Sequence, residues 1–369
     1  MTGPVRVLVV DDSALMRKLI PQILEGDSSI QVVGTAMDGN FGLKKIEELT
    51  PHVVTLDLEM PSMGGLDMLK EIMRRHGLPV IVVSSHSTEG AAVTLKALSM
   101  GAFDFVAKPN DVSARMPEIA QELIGKIKAA AQSRGIREPA MPSPAVPADK
   151  ASPDSKNHAT RIVAIGISTG GPQALQYLLP QLPGDFPGSI VVVQHMPEGF
   201  TDMFARRLDE ICAVKVKEAQ SGDLLLAGRV LVCPGSRHLK VKRLPLGDIA
   251  ILSDEPRVNG HRPSADVLFK SVAEEFGSKG VAVLMTGMGE DGAHGLGVVK
   301  AAGGMTIAQS EESCVVYGMP KAAIERGFAV RVVGLEAMAN TLMAQCMSDR
   351  KAGVRPPHTG RTTAGAGQG

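Results

Sequence analysis

The sequence predicts an α/β protein built from two doubly wound, mostly parallel sheets. Two observations carry this prediction. Short apolar runs alternate with amphipathic stretches over residues 1–132, and the same alternation resumes at Arg161 after a proline-rich interruption. Apolar runs separated by helix-length segments indicate parallel strands, which need crossover connections rather than tight turns.

In the first unit, residues 5–10, 30–35, 53–57, 80–84 and 103–107 read as strands. Leu15, Leu19, Ile23 and Leu24 recur on one helical face, and the other intervening segments read as helices by the same apolar spacing. Five strands with helical crossovers make a doubly wound sheet of flavodoxin-like type. Residues 133–159 contain five prolines and almost no apolar periodicity, which predicts an extended, solvated linker. The second unit covers 160–349. Its runs at 162–167, 190–194 and 281–286 are apolar enough for strands buried on both faces, and 237–252 reads as a strand pair turning at 245–247. Residues 350–369, rich in Gly, Thr and Pro, predict a disordered tail.

Lys+Arg and Asp+Glu both number 39, a balance that argues against broad electrostatic binding to nucleic acid or anionic lipid. The segment after the linker shows no basic recognition helix and no helix-turn-helix. The first ten residues, MTGPVRVLVV, lack a basic region followed by a long apolar stretch, so no signal peptide is read there. No apolar run reaches the roughly 18 residues of a membrane span, so direct membrane insertion is not expected. Cys212, Cys233, Cys314 and Cys346 have no paired spacing and read as buried free thiols of a cytoplasmic protein.

Chemistry gathers at the predicted strand ends. Asp11 and Asp12 follow the first strand and Asp57 ends the third. Strand C-termini of a doubly wound sheet line one edge, so three carboxylates converge and would repel without a cation. Mg²⁺ suits such a site, taking a few carboxylates plus waters and phosphate oxygens. Ser84 ends the fourth strand with a hydroxyl, and Lys108 ends the fifth with a charge able to neutralise an added phosphoryl group. A lone strand-end aspartate is usually a cap or turn former; the set of five is not explained that way.

VLVVDDS, VVTLDLEMPSMGGL, VIVVSS and GAFDFVAKP resemble the receiver domains of two-component response regulators over residues 4–130. The resemblance implies that Asp57 accepts a phosphoryl group from a histidine kinase. It also implies that Asp12, Asp57 and the Glu59 carbonyl hold Mg²⁺ with Asp11 in support, that Ser84 and Lys108 sense the phosphate, and that Phe105 occupies the aromatic switch position.

The second unit opens on a strand ending in Gly166-Ile167-Ser168-Thr169-Gly170, the G-x-S-x-G spacing of a nucleophile elbow, with a helix starting near Pro172. Glycines permit the tight turn that exposes a hydroxyl, and the helix N-terminus offers N–H groups to an oxyanion. Alone, the motif reads equally as a phosphate-binding loop or a plain tight turn. His195 follows the strand at 190–194, and Asp291 lies in a glycine-rich loop after 281–286. A nucleophile, a base and a carboxylate to fix the base's tautomer would then share one sheet edge. The chain order Ser–His–Asp differs from the Ser–Asp–His of ordinary α/β-hydrolases.

GISTGGPQAL, QHMPEGFTDMFARRLD, CPGSRHL, HRPSADVLF and MTGMGEDGAHGL resemble the catalytic domain of the chemotaxis protein-glutamate methylesterase (CheB) family, so that with the receiver the resemblance spans roughly residues 4–345. It implies a serine esterase needing no cofactor for its own chemistry, with Ser168 as nucleophile, His195 as general base and Asp291 as its partner. The backbone N–H groups of Thr169 and Met288 would form the oxyanion hole. It further implies methyl-accepting chemoreceptors as substrates, glutamine deamidation in some members, and an esterase cleft covered by the unphosphorylated receiver. Ile167 departs from the small residue often found before the serine, which predicts a slightly narrower site. The competing reading is a phosphorylation-controlled binding module that holds a phosphate or nucleotide at 166–171 without hydrolysis.

Overall fold

The structure is a computed structural model, and it describes residues 3–61, 63–85, 87–108, 112–133 and 158–352. Most of the linker, 134–157, and residues 353–369 of the segment read as a tail lie outside the described residues.

The first unit is a parallel sheet of β1 (Val5–Val10), β2 (Ile30–Ala36), β3 (Val53–Leu56), β4 (Val80–Ser84) and β5 (Asp104–Ala107). Its spatial order is β2-β1-β3-β4-β5. Between the strands run α1 (Met16–Leu24), α2 (Gly39–Leu49), α3 (Gly65–Arg75) and α4 (Thr88–Ser99), and α5 (Val112–Gln132) follows β5. β3 and β4 are buried at every position, as central parallel strands must be. In α1, Ile20 and Leu24 face the core, whereas Leu15 precedes the helix and is exposed, so it does not belong to the predicted apolar face.

The second unit begins with β6 (Ile162–Ile167), α6 (Gly171–Leu178), β7 (Ser189–Gln194), α7 (Phe200–Ile211), β8 (Lys215–Glu218) and β9 (Arg229–Val232). An antiparallel pair, β10 (His238–Lys242) and β11 (Ile249–Ser253), follows and turns where the sequence indicated. Next come α8 (Ala265–Phe276), β12 (Gly280–Leu284), α9 (Ala293–Ala301), β13 (Met305–Gln309), α10 (Met319–Glu325), β14 (Arg331–Val333) and α11 (Leu335–Ala352). The main sheet has the order β14-β13-β12-β6-β7-β9-β8, parallel at each pairing. β6, β7 and β12 are buried throughout. Strands β8, β9, β13 and β14 were not anticipated. α11 extends through residues 350–352, so the tail read from Arg350 begins within a helix. Among the described residues no helix is long and apolar enough to cross a membrane.

Both sheets place ligand-binding crevices by the same rule. Strand order reverses between β1 and β3 in the first unit and between β6 and β12 in the second. In sheets of this kind ligands bind beyond the carboxyl ends of the strands at such a point.

The two units share one apolar cluster, which includes Leu95, Leu98 and Phe105 of the first and Phe200, Phe204 and Ala205 of the second. The Phe105 and Phe200 rings stack with centroids 4.8 Å apart. Gln173 Nε2 donates to the Ala102 carbonyl across the interface at 2.8 Å. α5 meets the second unit at Gly125: a Cβ placed there would lie 2.6 Å from Met288 Cε, so the missing side chain lets Met288 lie on the helix.

Candidate functional site

At the first switch point Asp11, Asp12 and Asp57 bring carboxylate oxygens within 4.8 Å of one another. Lys108 Nζ lies 2.7 Å from Asp57 Oδ2 and 3.1 Å from Asp11 Oδ2. The Glu59 N–H donates to Asp57 Oδ1 at 3.2 Å. Burial pushes the Asp57 carboxyl above its ordinary pKa, and Lys108 only partly offsets that. A cluster of hard oxygen donors in which a buried carboxylate is disfavoured by desolvation fits a small divalent cation. Ser84 is adjacent in the sheet but turned away: its Oγ donates to the Gly90 carbonyl at 3.2 Å and accepts from Thr94 Oγ1 at 2.6 Å. The predicted phosphate sensor is thus engaged with the first two turns of α4, while Lys108 already touches the acidic cluster.

At the second switch point, Ser168 follows β6, His195 follows β7 and Asp291 lies in the loop after β12, on three neighbouring strands. The turn at Ser168 is closed by the Gly171 N–H donating to the Ser168 carbonyl at 2.8 Å, with Gly170 at φ 76°. A Cβ at Gly171 would lie 2.0 Å from Gln194 Oε1, so a larger residue there would displace the Gln194 side chain. His195 Nε2 lies 2.8 Å from Asp291 Oδ2. Asp291 is buried and fully engaged, because Oδ1 accepts from Ser264 Oγ at 2.6 Å and Oδ2 from the Ala265 N–H at 2.7 Å. Burial would raise its pKa, but His195, Ser264 and the Ala265 N–H outweigh that and hold the carboxyl below the usual range. An ionised acceptor at Nε2 fixes the neutral imidazole with its proton on Nε2 and its lone pair on Nδ1. Nδ1 is buried and has no hydrogen-bond partner among the described residues.

The structure therefore joins His195 to Asp291, while the Ser168 hydroxyl makes no hydrogen bond with His195. Such contacts are often long in unliganded sites. Among the described residues, the backbone N–H groups of Thr169 and Met288 donate no hydrogen bond, which leaves both available to an anion. The Met288 side chain is the one lying on α5. Ile167 is fully buried in the core, so it does not narrow the site as expected.

Sequence reasoning assigned no role to two residues of HRPSADVLF. Ser264 binds Asp291, and the His261 ring stacks on that of His195. A serine directly ahead of an apolar helix was the available signal for Ser264; no local pattern marked His261.

Comparison with known proteins agrees with this two-part architecture. Residues 7–119 match the family described as response regulator receiver domain, and residues 163–342 match CheB methylesterase. A protein of Koribacter versatilis named protein-glutamate methylesterase/protein-glutamine glutaminase 2 is 61% identical over 95% of this chain and 98% of its own length. The protein-glutamate methylesterase/protein-glutamine glutaminase of Symbiobacterium thermophilum is 47% identical over 92% of this chain and 96% of its own. Among solved structures, the Thermotoga maritima CheB methylesterase catalytic domain aligns at 43% identity and a TM-score of 0.49, covering 50% of this chain and 97% of that one. The fold and the family matches define a response regulator whose receiver domain is followed by a methylesterase output domain. The chain belongs to the protein-glutamate methylesterase/protein-glutamine glutaminase family.

Proposed function

We propose that this protein hydrolyses glutamate methyl esters on the cytoplasmic helices of methyl-accepting chemoreceptors, that it also deamidates glutamines there, and that phosphorylation at Asp57 switches it on. The observation that carries the chemistry is the His195–Asp291 contact of 2.8 Å beside the Ser168 turn. Ser168 Oγ attacks the ester carbonyl while His195 Nδ1 takes its proton. Thr169 and Met288 N–H groups hold the oxyanion. The protonated His195 returns the proton to the leaving methoxy oxygen, methanol departs, and water opens the acyl-enzyme by the same steps. With glutamine, ammonia leaves instead. The phosphate-loop reading has less support, because a binding loop gives no reason for a buried carboxylate to orient an imidazole next to it.

In the receiver, Asp12, Asp57 and the Glu59 carbonyl, supported by Asp11, would hold Mg²⁺. When bound, that ion neutralises charge on the phosphoryl group coming from a histidine kinase. Lys108 pairs with the phosphoryl oxygens, and Ser84 turns from the Gly90 carbonyl to meet them. That rotation withdraws a hydrogen bond from α4, which packs on α6 and α7. Contacts at Phe105–Phe200 and Gly125–Met288 then loosen and the cleft opens. The four cysteines are free and buried, which suits a reducing cytoplasm.

Methanol release from methylated receptor membranes, with and without a small acyl phosphate as phosphodonor, tests this reading; no release in either condition rejects it. A coupling of about 1–3 kcal/mol gives roughly 5–150-fold activation. Asp57→Asn is expected to lose that activation and keep basal release. An activated Asp57→Asn would place the phosphorylation site elsewhere.

The interface itself supplies a second expectation. Gly125→Leu puts a side chain where Met288 lies and improves helix propensity in α5. Release without phosphodonor is expected to rise roughly 5-fold or more, within the range of that coupling. Unchanged basal release would show that this contact does not hold the cleft shut.

A further inference from the structure

We infer that His261 is a positioning residue for His195, holding the face of its imidazole as Asp291 holds its edge. The two rings are 7° from parallel with centroids 4.1 Å apart. His195 Nε2 is tied to Asp291, but one hydrogen bond at one corner leaves a ring free to swing about that bond. Nδ1 has no hydrogen-bond partner to stop it. A flat contact over the ring face is the second restraint.

The loop that carries His261 is built to hold it there. Val258 and His261 exchange backbone hydrogen bonds of 3.0 and 2.9 Å around Asn259 and Gly260, both at positive φ. His238, buried, fixes both sides of the loop: Nε2 pairs with the Pro256 carbonyl at 3.0 Å, and Nδ1 accepts from the Ser264 N–H at 3.2 Å. Arg262 donates to the Asp254 and Glu255 carbonyls, and Asn259 to Asp266. Ser264, three residues after His261, reaches Asp291. One pinned segment thus touches both members of the His195–Asp291 pair.

Its chemistry suits the role. Burial first, and then the neighbouring His195, push the His261 pKa down to about 4, with Arg257 acting the same way and Asp291 and Glu122 opposing. His261 stays neutral while His195 gains and loses its proton. A cation over a neutral π face is attracted, whereas a second imidazolium would repel it. His261 therefore steadies His195 without competing for the serine proton.

This inference rests on the hydrolase reading above, and its test separates the two. The full-length protein is compared with His261→Ala, which removes the face, and His261→Phe, which keeps a flat face without ring nitrogens. With methylated receptor membranes, His261→Ala is expected to lose about 10²-fold in kcat, the scale of a misplaced catalytic group. KM should change little, and His261→Phe should restore most of the loss. The downfield proton resonance of His195 Nε2–H, assigned by its loss in His195→Gln, should broaden in His261→Ala and persist in His261→Phe. An unaltered kcat and resonance in His261→Ala overturns the inference. Equal loss in both variants also overturns it, since the ring nitrogens rather than the face would then matter. If the wild type released no methanol, the hydrolase reading would fall, while the resonance comparison would still decide the stacking.

Discussion

Ser168→Ala is expected to lower methanol release by about 10⁴-fold or more, with the melting temperature nearly unchanged. The Ser168 hydroxyl makes no hydrogen bond with His195 in the resting chain, so its loss leaves no buried partner unsatisfied there. The turn is held by backbone contacts that alanine retains: the Ser168 N–H to the Thr286 carbonyl at 2.9 Å and the Gly171 N–H to the Ser168 carbonyl at 2.8 Å. A kinetic effect this large with so small a structural one is what separates a nucleophile from a turn residue. It also separates hydrolysis from the phosphate-loop reading, in which main-chain N–H groups do the binding and alanine would be tolerated. Single-turnover release from methylated receptors, beside a thermal melt, measures both halves. Turnover near the wild-type value in a folded variant would remove Ser168 from the mechanism.

What could be read in advance depended on how local the signal was. β6, β7 and β12 announce themselves as apolar runs because central parallel strands have no solvent face. Asp11, Asp57, Ser168 and His195 were legible because a doubly wound sheet puts strand ends on one edge, so position in the pattern stands in for position in space. β8 and β14 failed that test. Each is a short outer strand of the sheet; β8 is Lys-Val-Lys-Glu, and β14 is three residues whose first two are exposed. Leu15 was misplaced because helical periodicity does not reveal where a helix starts; α1 begins one residue later. Ser84 was correctly located at a strand end, but its rotamer depends on Thr94 and Gly90 in α4, which no strand-end rule includes. The stack of His261 on His195 joins residues 66 positions apart (261 − 195) through a hairpin whose ends are held by His238. Such a contact exists only once the chain has folded.

Asp291→Asn should cost about 10²–10⁴-fold in turnover and move the acid limb of the kcat/KM profile to lower pH. The carboxylate serves four donors at once: His195 Nε2 and the Ala265 N–H on Oδ2, and Ser264 Oγ and, at 3.4 Å, the Asp266 N–H on Oδ1. An amide can supply oxygen on one side only. With its NH₂ towards His195 it faces the Ala265 N–H as well and drives the imidazole to the Nδ1–H tautomer, which is no longer a base. With its NH₂ towards Ser264, that hydroxyl can turn to accept while the Asp266 N–H loses its acceptor, and the tautomer survives, but the negative charge that stabilises the imidazolium is gone. Either way the cation is harder to form, which sets the sign of the shift in the acid limb. Stability carries a second signature. Because the folded-state pKa of Asp291 is depressed, its ionised form adds stability above the unfolded carboxylate pKa of about 3.9. That contribution is lost as pH falls through the lower folded-state value. The wild type should therefore be the more stable protein near neutrality, and the gap to Asp291→Asn should narrow as pH drops below about 4. An unshifted acid limb with normal turnover would reduce Asp291 to a cap for the first turn of α8, where the Ala265 N–H already meets it.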